Sequence, residues 1–149
     1  GTKGELLVIH APDLMESRVI KSGVFIIPLG ADRYLVGATY ARDDHSPEPT
    51  QQARDWLLGQ LRKFLRCTFE VEDQWAGIRP TVPDRRPIVG GHPAFPRLFV
   101  LNGLGSRGVL IAPYAAGCLY RLLVEGEGLP EAMDSMRFAG RYEKSRKRT

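Results

Sequence analysis

The segment Gly103-Leu104-Gly105-Ser106-Arg107-Gly108 fits the pattern G-x-G-x-x-G, follows the apolar stretch Leu98 to Leu101, and opens a helical stretch from about Gly108 to Val124. Glycines at this spacing let a backbone approach a ligand, and a helix N-terminus presents unpaired N–H groups carrying about half a positive charge. A dinucleotide site of the βαβ kind also needs a second apolar strand bearing an acid for the ribose. Here the helix is followed instead by Glu125-Gly126-Glu127-Gly128-Leu129-Pro130. The turn is therefore expected to face something electron-rich without completing a βαβ dinucleotide site. Tight packing of strand against helix is the other reason for such glycines. Pro113 favours neither reading, because proline is tolerated in the first helical turn, where it is expected to lie.

Ahead of that turn the chain reads as strands with one amphipathic helix among them. Glu5 to Ile9 is a buried strand, Pro12 and Asp13 mark a turn, and Arg18 to Lys21 is a second short strand. Gly23 to Leu29 is apolar and is expected to stop at Pro28. After the Gly30-Ala31-Asp32 loop, Tyr34 to Tyr40 returns as the partner strand, with Tyr34, Val36, Ala38 and Tyr40 on one face and Leu35, Gly37 and Thr39 on the other. Thr50 to Leu65 places Ala53, Trp56, Leu57, Leu61, Phe64 and Leu65 at helical spacing, which predicts a helix covering the sheet. Thr68 to Ile78, Ile88-Val89 and Leu98 to Leu101 supply further strands. This order of elements predicts an α+β fold: an antiparallel sheet covered by a helix, then a final strand, turn and helix.

Composition narrows the classes of function. No run of about 18 apolar residues and no basic-then-apolar amino terminus is present, so neither a membrane span nor a signal peptide is expected. Cys67 and Cys118 have no partner at metal-like or disulfide-framework spacing, and His10, His45 and His92 are scattered. No metal site is expected, both cysteines are assigned to the core, and a reduced, cytoplasmic setting follows. The net charge of +4 is accounted for by Arg141 to Arg148, which holds five Lys and Arg against one Glu. Nucleic acid is accordingly not expected as a partner, and Asp43-Asp44 are read as solvated or capping.

Three segments carry a resemblance. Trp75 to Gly90, with Gly77-Ile78-Arg79-Pro80, Asp84 and Pro87-Ile88-Val89-Gly90, resembles the Gly-x-Arg-Pro…Asp…Pro-x-x-Gly signature of the D-amino-acid oxidase superfamily, in its glycine oxidase and sarcosine oxidase branch. Asn102 to Pro113 resembles that family's closing flavin loop and helix. Phe25 to Pro28 with Val36 to Thr39 resembles its substrate-domain hairpin. The likeness extends to about Leu129.

The resemblance implies a flavin-dependent oxidation of a C–N bond in a small amine or amino acid, with non-covalent FAD, since no cysteine stands near Arg79 where flavin-linking relatives place one. It implies a carboxy-terminal portion of such an enzyme, inactive alone, whose missing amino-terminal FAD-binding segment would hold the ADP half. Residues 1–75 are then part of the substrate domain, residues 76–129 line the flavin site, and residues 130–149 form a basic tail. Leu104, Gly105, Ser106, Arg107, Gly108, Val109 and Leu110 are the implied cofactor-binding residues. Arg79 is the implied carboxylate-binding residue, because a planar two-pronged cation suits that group; capping loop carbonyls or pairing with Asp84 is its alternative role. Phe25 and Tyr40 are the further substrate-side candidates, Tyr40 being alternatively a plain sheet-face aromatic. Glycine oxidases carry an aromatic hydroxyl at the position of Phe25 and an arginine at that of Ser106, so the substrate stays open. A tRNA-modifying amine oxidase domain and a non-enzymatic α+β binding module are the rival readings.

Overall fold

The computed structural model describes residues 1–146, with side chains described through residue 144. The chain divides into two compact units, Gly1–Arg79 and a second beginning at Pro80. The division falls after the strand that carries Arg79, where Pro80 ends the ladder by removing a donor.

The first unit is a five-stranded antiparallel sheet in the order β2-β3-β4-β1-β5, built from β1 (Thr2–His10), β2 (Ile20–Ser22), β3 (Val24–Gly30), β4 (Arg33–Gly37) and β5 (Glu70–Arg79). Paired positions share a face, so the register sorts the side chains. Leu7, Ile9, Val24, Ile26, Tyr34 and Val36 are buried on one face with Ala11, Leu57 and Leu61. The helix α1 (Gln51–Leu61) covers that face through Ala53, Leu57 and Leu61. Its start follows from Thr50, whose hydroxyl accepts from the Ala53 N–H at 3.2 Å.

Three expectations are corrected here. The helix ends at Leu61, four residues early, and Phe64 and Leu65 pack on the core from the turn beyond it, while Trp56 is 45% exposed. The third strand runs through Pro28 to Gly30, paired on one side only at that end, where a missing N–H is tolerated. The fourth strand ends at Gly37 rather than Tyr40. Leu6 pairs with Gly37, yet Thr39 bonds to Glu5 and Ala41 pairs with Lys3, so one extra residue sits at Ala38. That insertion resets the alternation and moves Tyr40 off the face of Tyr34 and Val36.

The second unit pairs β6 (Ile88–His92) with β7 (Phe95–Asn102), then runs through a 3-10 turn at Gly105–Arg107 into α2 (Gly108–Glu125). Val89, Ala115, Cys118 and Met133 form its buried core. Residues 130–144 are not a tail. Met133 and Ser135 are buried, Asp134 bridges to Val89, and α3 (Ala139–Arg146) follows a 3-10 turn at Ser135–Phe138. Lys147 and Arg148, the end of the expected basic run, lie outside the described residues. Pro113 is in the second turn of α2, past the first turn where it was expected. It has no N–H to return to the Val109 carbonyl, so that carbonyl lacks its usual helical donor.

Candidate functional site

β1 carries alternate residues to opposite faces, and around Gly4 the two faces have different work. Lys3 and Glu5 point to the covered face and are 0% and 2% exposed. The Lys3 ammonium donates to Asp44 Oδ2 at 2.7 Å, Ser46 Oγ at 2.9 Å and the Glu48 carbonyl at 2.6 Å, and lies 3.5 Å from Glu5 Oε1. The Glu5 carboxylate accepts from the Thr50 N–H, the Thr50 hydroxyl and the Gln74 amide, each at 2.8 Å. Burial pushes the Glu5 carboxyl up, but those bonds and the Lys3 charge outweigh it, leaving it below its ordinary value. The hydrogen bond from Lys3 holds the Asp44 carboxyl down to about 2. Asp44 was expected to be solvated or capping; its Oδ1 accepts from the Ser46 N–H at 2.8 Å, and it also neutralises a buried lysine, a partnership its spacing from Lys3 does not signal.

The opposite face of the same strand is covered at Thr2, Gly4 and Val8, and becomes exposed only toward the neighbouring strand, at Gly77 and Trp75. Thr2, Gly4 and Leu6 lie there, paired with Arg79, Gly77 and Trp75 of β5, and Leu6 also pairs with Gly37, itself opposite Phe25. A methyl group at Gly37 would meet Leu6 and Phe25 side chains, so the Phe25 ring leans over this glycine. Arg79 is half-buried and its Nη1 donates to the Thr39 carbonyl at 3.3 Å. Its Cζ is 6.0 Å from the centre of the Tyr40 ring, and Arg42 Cζ is 5.9 Å from the same ring. Among the described residues Arg79 forms no ion pair. Asp84, the acid considered as its partner, is bound by Arg137 at 2.8 Å. The structure thus brings Arg79 and Tyr40 together and sets Phe25 on the same face. Trp75, half-exposed there, and Gly4 were not anticipated.

In the second unit the glycine turn has the required conformations: φ is +70° at Gly103 and +59° at Gly105. The Gly105 N–H donates to the Pro80 carbonyl at 3.1 Å. No side chain caps the N-terminus of α2 or of the 3-10 turn before it. Val109 and Leu110, in the first turn of α2, are 93% and 80% exposed. β7 pairs antiparallel with β6, and no strand follows α2 among the described residues, so the turn does not open a βαβ unit. The segment Gly105–Glu125 has a mean hydropathy of 1.3 and is long and apolar enough to cross a membrane. Length and composition are weak grounds for a span, since core helices pass the same test. No cluster of His, Cys, Asp and Glu able to hold a metal occurs among the described residues, and both cysteines are free.

An antiparallel sheet whose last strand ends in an arginine capping a loop carbonyl, one of the roles considered for Arg79, stands beside a glycine turn opening an uncapped helix in the chain that the comparisons classify. The profile of the FAD dependent oxidoreductases (DAO) matches residues 1–122. The chain belongs to this family, whose cofactor is FAD, and its fold is that of the family's α+β architecture. It is 34% identical over 133 residues to a glycine oxidase of Geobacillus kaustophilus, covering 83% of this chain and 33% of that protein. It is 28% identical to the tRNA 5-methylaminomethyl-2-thiouridine biosynthesis bifunctional protein MnmC of Idiomarina loihiensis, covering 91% of this chain and 23% of that protein. The iminodiacetate oxidase (IdaA) structure from Chelativorans sp. BNC1 superposes with a TM-score of 0.67 at 25% identity, over 86% of this chain and 36% of that one. The chain spans 21% to 41% of the length of such curated relatives.

Proposed function

We propose that this chain supplies the substrate-carboxylate anchor and one wall of the flavin site in an oxidoreductase acting on the C–N bond of an amino acid or secondary amine. The observation that carries the reading is Arg79, a half-buried guanidinium that donates to the Thr39 carbonyl and has no carboxylate partner among the described residues. Glycine and iminodiacetate, the compounds in two of the relatives' names, both bear a carboxylate one carbon from nitrogen. A guanidinium can take such a group through two parallel hydrogen bonds and so fix the carbon between them. Phe25 and Tyr40 give the same face an apolar, aromatic boundary.

The second unit fits FAD on its own residues. Gly103 and Gly105 adopt positive φ, the conformation glycine takes without strain, and the uncapped start of α2 offers N–H groups to electron-rich atoms. Leu104, Gly105, Ser106, Arg107, Gly108, Val109 and Leu110 would line it, without a covalent link. The chemistry supplied by bound FAD is removal of a hydride from the carbon next to nitrogen, leaving an imine that water hydrolyses. The N–H groups at the start of α2 would stabilise negative charge that gathers on reduction. The ADP half would be held by residues outside this chain, and the 149 residues alone would be inactive.

The test is anaerobic addition of primary and secondary α-amino acids to the FAD-loaded full-length protein, in which this chain is joined to the segment that holds the ADP half, followed at the flavin absorbance. Bleaching by carboxylated amines, and not by the same amines lacking the carboxylate, is expected. Bleaching indifferent to the carboxylate, or none with any such amine, would remove the reading.

A further inference from the structure

The guanidinium of Arg79 occupies a place that only glycine at position 4 leaves open. A methyl group built on Gly4 would overlap Nη1, Nη2 and Cζ of Arg79. Arg79 sits opposite Thr2, so its side chain leans along the sheet by two positions to end over Gly4. At the far end of that path Nη1 meets the Thr39 carbonyl, and the Tyr40 ring stands 6.0 Å from Cζ. A long flexible side chain is thus given a floor, an end stop and an aromatic wall.

Each part of this seat is itself fixed. The Thr39 N–H donates to the Glu5 carbonyl at 3.2 Å, and the Glu5 N–H donates to the Thr39 hydroxyl at 2.9 Å. Lys3 and Ala41 exchange backbone hydrogen bonds at 2.8 and 2.9 Å. These bonds hold residues 39–41 beside Gly4 and, with the extra residue at Ala38, place Tyr40 next to the guanidinium. Lys3 and Glu5 on either side of Gly4 are locked into the buried polar network beneath. Gly4 therefore cannot shift to admit a side chain without disturbing both neighbours.

We propose that Gly4 is a positioning residue, which with Thr39 and Tyr40 seats the Arg79 guanidinium in the orientation that takes the substrate carboxylate. The proposal rests on the carboxylate role of Arg79 stated above. Tyr40 acts in it on the arginine. A side chain at position 4 would lift the guanidinium off the strand, and a displacement of about 1 Å at an anchoring group is enough to cost up to a hundred-fold in rate.

The experiment is a double-variant cycle on the FAD-loaded full-length protein, using propionate, a carboxylate without an amine, as the calorimetric probe and a responsive amino acid for kcat and KM. Gly4→Ala is expected to raise the propionate Kd and the substrate KM by roughly ten-fold or more. In the Arg79→Lys background the same change should cost less than about two-fold, because the group it displaces has already been removed. If Arg79→Lys weakens propionate while Gly4→Ala does not, or if the two losses simply add, the seat is overturned and the anchor stands. If Arg79→Lys leaves propionate binding unchanged, the anchor itself falls. Should Gly4→Ala fail to fold, Tyr40→Leu provides the measurement: a Kd raised about three-fold, with less loss in the Arg79→Lys background, is expected from removing a partly exposed ring from beside a cation. An unaltered Kd in Tyr40→Leu would equally overturn the seat.

Discussion

Lys3 Nζ lies 2.7 Å from Asp44 Oδ2, with the lysine side chain 1% exposed and the aspartate 37% exposed. The pair joins the amino-terminal strand to the loop before α1, and the buried charge has its partner at the rim, where protons reach it.

That geometry makes the first unit sensitive to acid. Asp44 titrates at about 2 when folded against an ordinary 3.8, so the unfolded chain binds more protons between those values. Its contribution is complete above about pH 4 and is lost as pH falls toward 2. Lys3 is shifted the other way, above 10.5, chiefly by its bond to Asp44; its contribution is complete below that pH and fades as pH rises through the higher folded value. Melting temperatures across both windows should show Asp44→Asn less stable than the parent at pH 6, with a smaller further loss between pH 4 and 2. Parallel curves for the two proteins would contradict this.

Arg137 staples the second unit. It binds both oxygens of Asp84 and donates to the carbonyls of Asp134, Arg86 and Pro87 at 2.8 to 3.2 Å, with its side chain 15% exposed. Arg137→Ala should cost about 3 kcal/mol in urea unfolding, most of it from carbonyls left without a donor, since solvent screens the one-third exposed Asp84. Arg137→Lys should recover only a minor part, because a single ammonium cannot reach the same spread of acceptors.

Arg79→Lys in the FAD-loaded full-length protein should raise KM and lower kcat/KM together. Loss of one charge-assisted bond to the carboxylate corresponds to about 1.5–3 kcal/mol. Steady-state kinetics on several carboxylated amines is the measurement, and kinetics unchanged on all of them would return Arg79 to a structural role.

Gly105 has φ +59°, and the nearest atom to a methyl placed there is Thr81 Cγ2 at 3.8 Å, so space is available and the backbone conformation is what resists substitution. Gly105→Ala should therefore cost about 1 kcal/mol or more of stability. If the turn faces the flavin, the midpoint potential should also fall, by roughly 30 mV for each 1.4 kcal/mol of lost two-electron stabilisation. An unchanged potential beside a lowered melting temperature would mark the turn as scaffolding.

The 149-residue chain purified by itself should be colourless and without oxidase activity, because its glycine turn is followed by no second strand among the described residues to receive a ribose. A stoichiometric flavin absorbance in that preparation would refute the division of the FAD site proposed above.

Most of the elements were legible because their causes are local. The buried apolar run of β1, the alternation in β4, the helical spacing after Thr50 and the glycine turn opening α2 all depend on residues within a few positions of one another. The signature around Arg79 was legible in the same way, as a string of residue types. The end of α1 was not, since Phe64 and Leu65 keep helical spacing while packing from a turn.

The sequence by itself determined that the chain is α+β, that a glycine turn opens its long helix, and that Arg79 is the residue to watch. Only the tertiary structure decided what holds Arg79. A single extra residue at Ala38 shifts the pairing of the segment beside β1, and in a strand such a shift exchanges the two faces. Tyr40 is thereby moved to the arginine, and Gly4 becomes the floor beneath it. Lys3, which composition alone would leave on the surface, is buried because its neighbour must face the other way and because Asp44, distant in the chain, is there to receive it.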